Sequence, residues 1–288
     1  MGWHEYLALW CVALGAVAVV GYGRSLAGVT RGQRAVRVMG RIERVTEPRH
    51  GSSGREGIAV VVTFRDPATG QEFTVTNDGE CGDRISTAWT GREVGIRYPP
   101  GRPHAYRFTT DPDAGRSGLA WPNFAVFLLY VGLVVLASID SGWPWALIGF
   151  GVPWTLLSAT YLPRAVRDTR LHIEDLASGG PVPGRVIAVL KDVTVDEDSG
   201  TATSHTPVVA FTTHDGTAVT AYRTEGLSDP ARSRGRDLMI HYRPDNPAVF
   251  TTDLAAEHRS RVNEIAFAVG ALLVGFAAAV AGGILIAG

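Results

Sequence analysis

Hydrophobic and polar positions alternate along this chain on two different length scales. On the long scale, four apolar runs stand out, at residues 6–22, 119–138, 143–162 and 265–287, and none contains Asp, Glu, Lys, Arg or His. Each is about 17 to 23 residues, enough at ~1.5 Å per residue to cross roughly 30 Å of hydrocarbon. The pattern predicts four transmembrane helices. Trp3, Trp121, Trp143 and Trp145 lie near run ends, where amphipathic rings favour the headgroup level. Only Ile139-Asp140-Ser141-Gly142 separates the second run from the third, which predicts a tight helical hairpin. The first run contains Ala16-Val17-Ala18, a cleavage-like triplet, but no Lys or Arg precedes it. It is therefore expected to stay as a helix, not to be removed as a signal peptide. The fourth run is rich in small residues, among them Gly270, Gly275, Gly282 and Gly283. These let helices approach closely, although their spacing is not a clean GxxxG.

On the short scale, residues 31–111 and 179–253 carry brief β-branched runs bounded by Gly, Pro and Asp, the signature of strands and turns. The two stretches align with each other. Gly40-Arg41-Ile42 matches Gly184-Arg185-Val186, and Val61-Val62-Thr63-Phe64 matches Val208-Val209-Ala210-Phe211. The turn Asp66-Pro67-Ala68-Thr69-Gly70 corresponds to His214-Asp215-Gly216. Gly91-Arg92-Glu93-Val94 then matches Gly235-Arg236-Asp237-Leu238. Tyr98-x-Pro100-x-x-Pro103 matches Tyr242-x-Pro244-x-x-Pro247, and both copies reach Phe-Thr-Thr-Asp, at 108–111 and 250–253. So many ordered matches indicate an internal repeat. Copies of about 70 residues with five or so strands suit a small barrel or curled sheet. Between the matches, residues 50–54 and 192–203 read as mobile, solvated hairpin tips.

These motifs resemble a bacterial membrane family catalogued as domain of unknown function 3592, whose members place such a β-domain between transmembrane helices. The resemblance covers both polar stretches. The first copy departs from it with Pro-Pro-Gly-Arg-Pro-His at 99–104, where the family tends to show an acidic turn. The resemblance implies no activity, cofactor or catalytic residue. The expected fold class is therefore an α+β membrane protein. Four transmembrane helices carry two small all-β domains, barrel-like or curled, inserted after the first and third helices.

Composition agrees: 45% of residues are hydrophobic and only 19% charged, low in charge for a soluble protein. The net charge of −1 gives no reason to expect a nucleic-acid partner. The basic residues matter through their placement. Arg24, Arg31, Arg34 and Arg37 follow the first run, and Arg164, Arg167 and Arg170 follow the third. Arg116 precedes the second run, and Arg259 and Arg261 the fourth, whereas the 139–142 turn has no Lys or Arg. The positive-inside rule then puts both β-domains in the cytoplasm and both termini outside. Membrane lipid is the expected partner of these arginines, as topology determinants that snorkel at the interface or as contacts to anionic headgroups.

Chemistry is harder to find. The eight histidines, His4, His50, His104, His172, His205, His214, His241 and His258, follow no metal-ligand spacing. His205 and His214 could face one another across a hairpin, but two surface histidines explain them as well. Cys81 precedes Gly82-Asp83-Arg84, yet no His matches it and the second copy lacks the cysteine. Cys11 and Cys81 are not expected to bridge. The helix interiors offer only Asn123, Thr155, Ser158 and Thr160 as main polar groups, with Glu5 and Glu264 at the ends. Ion-coupled transport normally needs more. No catalytic, cofactor or metal residues are expected. The leading reading is a non-enzymatic binding or scaffold protein with an unidentified protein partner. The alternative is an accessory subunit of a transport or envelope quality-control complex. The oligomeric state is left open.

Overall fold

The structure, a computed structural model, describes residues 3–55, 57–77, 82–111, 118–196, 200–223, 227 and 229–287. It divides into two compact units. One comprises residues 1–34, 113–170 and 259–288, and the other residues 35–112 and 171–258.

The first unit is helical. It contains α1 (Trp3–Leu26), a short α2 (Arg31–Arg34), α3 (Ala120–Ser141), and most of α4 (Pro144–Ser178) and α5 (Leu254–Ala287). Four of these are long and apolar enough to cross a membrane. Their outward faces are apolar too: Val12, Val19, Phe267 and Val274 are each at least 70% exposed, a pattern water does not favour. The helices α4 and α5 are longer than the apolar runs predicted. The first continues to Ser178 and the second begins at Leu254, because Arg/Asp/Glu-bearing segments such as 164–175 still favour helix once the preceding turns are formed.

Small residues set the helix contacts. A Cβ added at Gly21 would lie 2.8 Å from Pro122, and one at Gly132 would lie 3.0 Å from Cys11 Sγ, so α1 packs on α3. The Tyr22 hydroxyl donates to Asn123 Oδ1 at 2.8 Å across the same pair. Gly149 meets Val134, joining α3 to α4. A Cβ at Gly151 would lie 2.8 Å from the Gly275 carbonyl, and one at Gly282 2.8 Å from the Pro144 carbonyl, joining α4 to α5. Gly275 and Gly282 are thus used within the chain, while Gly270 and Gly283 face open space. Pro153 inside α4 has no N–H for the Gly149 carbonyl four residues back. The Tyr130 hydroxyl of α3 donates to that carbonyl instead. Gly142, at φ +99°, turns the chain between α3 and α4, and Pro144 opens the new helix.

The second unit holds the β-structure. Its first sheet has β1 (Val36–Val45), β2 (Val60–Arg65), β3 (Glu72–Thr76), β5 (Glu93–Tyr98) and β6 (Arg107–Thr109), in the order β3-β2-β1-β5-β6. The strand β4 (Thr87–Ala88) leaves this sheet for the other one. That sheet contains β7 (Pro181–Asp196), β8 (Gly200–Thr212), β9 (Ala218–Tyr222), β10 (Asp237–Arg243) and β11 (Asn246–Thr251), in the order β11-β10-β7-β8-β9-β4. Within each half the strand order is the same. Ile42, Val62, Phe64, Ile96, Tyr98 and Phe108 form one core. Val186, Val209, Phe211, Ile240, Tyr242 and Phe250 occupy the aligned positions of the other. Burial of each large side chain contributes about 1.5–3 kcal/mol. The first sheet nearly closes on itself, since the Tyr106 hydroxyl beside β6 donates to the Thr76 carbonyl at the end of β3, 2.6 Å away.

The aligned residues have matching structural roles. Gly91 and Gly235 sit at φ +90° and +79°, where only glycine is at ease. Their N–H groups donate to the Ile42 and Val186 carbonyls at 2.7 and 2.8 Å. The guanidinium groups of Arg41 and Arg185 lie against these same glycines. A Cβ at Gly40 would come within 2.6 Å of Ile96 and 2.7 Å of Val62, and Gly184 is as tightly enclosed by Ile240. The Tyr98 hydroxyl donates to Asp66 Oδ1 at 2.8 Å, and the Tyr242 hydroxyl accepts from the His214 N–H at 2.9 Å. Each motif tyrosine thereby pins the turn that follows the second strand of its half.

Two predictions follow from this geometry. Replacing Gly40 by Val forces a methyl-bearing carbon into the Ile96–Val62 contact and should cost about 1–3 kcal/mol in chemical denaturation, whereas Ala68→Val in the exposed turn after β2 should not. The Tyr98 and Thr69 hydroxyls hold the Asp66 carboxyl below its ordinary value. Its stabilisation is therefore present above the unfolded value of about 3.9 and is lost as pH falls through the lowered one. In thermal melts, Asp66→Asn should flatten that acid limb, and an unchanged limb would contradict the assignment.

Candidate functional site: the seam between the two β-halves

Residues 50–54 and 192–203 were expected as separate solvated tips; the second is the exposed end of the β7–β8 hairpin, with 197–199 outside the described residues, but the two are not separate. Residues 192–196 and 200–203 extend the β7–β8 hairpin, with Asp192 opposite Ser204 and Asp196 opposite Gly200. The 50–54 loop lies along the free edge of β7. Gly51 N–H donates to the Val189 carbonyl at 2.9 Å, and Lys191 N–H donates to the Ser52 carbonyl at 3.0 Å. The Val189 N–H in turn donates to His50 Nδ1 at 3.1 Å, which requires an unprotonated Nδ1. The Asp192 carboxylate receives the Ser53 hydroxyl and the Gly54 N–H, the latter at 3.1 Å. The guanidinium of Arg55 donates to the Val193 carbonyl at 3.0 Å. Two segments that diverge between the halves thus bind each other. The signal available in the sequence was chemical: a Ser-Ser-Gly donor run in one copy and an aspartate in the other.

A second contact joins the halves by strand pairing. Thr87 and Ala88 of β4 pair antiparallel with Ala221 and Thr220 of β9. The Tyr222 N–H donates to the Ser86 carbonyl at 2.7 Å. Trp89 packs on the second core, and Tyr222 packs on the first. The Arg84 guanidinium stands 4.7 Å above the Tyr222 ring, a cation–π contact worth about 0.5–2 kcal/mol. Burial pushes the Tyr222 phenol up to about 12; the Arg84 charge opposes the rise and Asp192 adds to it. Among the described residues no group hydrogen-bonds that buried hydroxyl. Beside the seam, a cavity of ≈ 100 Å³ is lined by Met39, Asp83, Arg84, Arg92 and Thr110 among others. Asp83, Arg84 and Arg92 among its charged groups are already engaged. Asp83 accepts the N–H and hydroxyl of Thr110 at 2.9 and 3.1 Å, which holds its carboxyl below the ordinary value. Arg92 donates to the Thr87 carbonyl and stacks 5.0 Å over Trp89.

The chain matches no protein-family model, no curated protein and no solved structure.

The remaining candidate residues are dispersed. His205 lies opposite Lys191 on the β7–β8 ladder, not opposite His214. His214 occupies the β8–β9 turn, with its ring 6.1 Å from that of Tyr242. The imidazole of His104 meets the Phe73 ring edge-on at 5.3 Å, and His172 pairs with Glu257 at 3.3 Å. Among the described residues, no three His, Cys, Asp or Glu side chains converge as a metal site would require. Cys81 and Arg116 lie outside the described residues, as does the side chain of Arg31. Cys11 is a free, buried thiol in α1.

The basic residues that flank the apolar runs take varied positions. Arg24 borders an apolar groove of ≈ 370 Å³ formed by Ala16, Val17, Val20, Gly21, Trp121 and Pro122. Arg34 ends α2, and Arg164, Arg167 and Arg170 share one face of α4 at three-residue spacing. Arg259 and Arg261 lie inside α5, where Arg261 pairs with Glu264 at 3.5 Å. Arg37 lies on β1, opposite Arg97, in the β-unit.

Asp192 is the test of the loop contact. Asp192→Ala removes an acceptor of charge-assisted bonds at a partly exposed site, a loss of about 1 kcal/mol after solvent screening. Hydrogen exchange should accelerate at Gly51, Gly54 and Lys191 while the amides of β1 and β2 stay protected. Equal acceleration throughout the β-unit would mean that the contact is not a local clasp.

Proposed function

We propose that the chain is a multi-pass membrane scaffold without enzymatic activity, whose two β-halves act as one binding surface for a protein partner. The carrying observation is how the repeated residues are used. Gly40, Arg41, Gly91, Tyr98 and their counterparts Gly184, Arg185, Gly235 and Tyr242 all close turns or fill core space. What repeats between the halves is therefore what a β-fold needs, and what differs builds the seam. This pattern suits a display surface better than a reaction centre. It also supports the reading of an internal repeat; the proposed kinship with domain of unknown function 3592 rests on the sequence motifs alone.

The membrane reading rests on the four apolar helices and on chain order. Two spans between the β-segments would return the chain to the side it left, which suits the β4–β9 pairing. The arginines at 164, 167 and 170 favour the cytoplasm for that side, with membrane lipid as their counterpart. The accessory-subunit alternative drew on small residues in α5 as a docking stripe. Gly275 and Gly282 are already filled by α4, so the scaffold reading is preferred.

A single cysteine at Ala68, in the exposed turn after β2, with Cys11 and Cys81 changed to Ser, tests sidedness. A membrane-impermeant thiol reagent should leave intact cells unlabelled and label only after lysis. Labelling of intact cells would reverse the orientation. Photo-crosslinkers placed along the β-unit should capture the same discrete partner repeatedly, and capture of none would remove the scaffold reading.

A further inference from the structure

Every sheet edge offers unpaired N–H and C=O groups to another strand, and proteins blunt such edges by shortness, charge, proline or cover. In this β-unit nearly every edge is treated so. The strand β3 carries Glu72 and is approached by Tyr106. The three-residue β6 is covered by Asp83, whose N–H donates to the Phe108 carbonyl at 3.0 Å. The strand β4 has two residues, and β11 carries Pro247. The outer half of β7, beyond the reach of β10, is covered by the 50–55 loop.

The outer half of β8 is the exception. It runs well beyond β9, whose pairing stops at Val208. The Pro207 carbonyl, accepting Arg223 N–H at 2.9 Å, is the last group on that edge with a described partner. The ladder with β7 is unbroken from Thr206 to Gly200. Strand alternation then directs the N–H and C=O groups of His205, Thr203 and Thr201 to the same edge as Pro207. Thr201, Ala202, Thr203 and Ser204 are exposed, and the stretch Thr-Ala-Thr-Ser-His contains no Lys, Arg, Asp, Glu or Pro. Among the described residues, none covers this edge beyond Pro207.

We propose that this edge pairs antiparallel with the same edge of a second copy of the chain, joining two β8 strands about a two-fold axis at Thr203. The sequence is self-complementary for this arrangement. Thr203 faces Thr203 of the other copy, and Thr201 faces His205, so no like charges meet. Each facing pair exchanges both of its backbone hydrogen bonds, and threonine pairs are favourable across strands. The contact is isologous, so it closes at a dimer and does not propagate into a fibre. The proposal deepens the scaffold reading by naming one partner. It stands or falls separately from capture of a different protein by the β-unit.

The test uses the full chain in mild detergent, with Cys11 and Cys81 changed to Ser and Thr203 changed to Cys. Facing positions lie roughly 5.5 Å apart between Cα atoms, within disulfide reach. Mild oxidation should give a reductant-sensitive dimer, whereas the Ala68→Cys chain should give none. In otherwise unaltered chains, Thr203→Pro removes an edge donor without touching the β7 ladder, and Thr203→Lys sets like charges face to face. Both should turn a light-scattering dimer into a monomer while the circular-dichroism melt is retained. A monomeric parent chain, no cross-link through Thr203→Cys, or a dimer that survives Thr203→Lys with its melt retained would each overturn the proposal.

Discussion

Two residues of strand, Thr87 and Ala88, hold the arrangement of the β-unit together. By pairing with β9 they make the second sheet six-stranded and carry Trp89 to the second core, while Tyr222 returns the exchange to the first. Without this pairing there would be two separate small sheets of marginal size. With it, two cores share one hydrogen-bonded framework. The loop clasp around Asp192 extends the same seam along β7. A charged acceptor satisfied by two donors adds direction to what would otherwise be a non-specific apolar contact.

The helical unit solves a different problem with different residues. Packing between apolar helices gains little from water exclusion in a lipid-like setting, so close approach and satisfied backbone groups must supply it. Gly21, Gly132, Gly149, Gly151, Gly275 and Gly282 all sit where a neighbouring helix leaves no room for a side chain. The carbonyl of Gly149, which loses its usual donor to Pro153, receives the Tyr130 hydroxyl. In hydrocarbon an unsatisfied carbonyl costs several kcal/mol, so this bond ties a helix irregularity to a particular neighbour.

Much of the fold was legible in the sequence because it is written in short-range patterns. Apolar run length located the four long helices, and the short link ending at Gly142 located the turn between two of them. The motifs aligned between the two polar stretches located the strands, and several of their residues have partners within the same half: Arg41 its Gly91, Tyr98 its Asp66. The seam was not legible. Its contacts join segments more than a hundred residues apart, such as Ser53 and Asp192 at a separation of 139, and no period or spacing connects such positions. The 50–54 and 192–203 segments were read as solvated hairpin tips, although Ser53 and Gly54 bind Asp192. Two helices also extend beyond their apolar runs. The charged stretch after Leu162 halts an apolar run but not a helix, since Arg, Asp, Glu and Leu all sustain helical backbone.

The β4–β9 pairing also constrains the order of events at the ribosome. The first β-half is synthesised long before its partner strand, with two apolar helices made in between. Until β9 emerges, the nascent chain carries an unpaired β4 and an unburied Trp89. Contacts of such high sequence separation slow folding, and an open strand edge during that delay invites intermolecular association. The first half thus waits, incomplete, for the second, and its maturation is governed by translation and by whatever shields that edge in the interval.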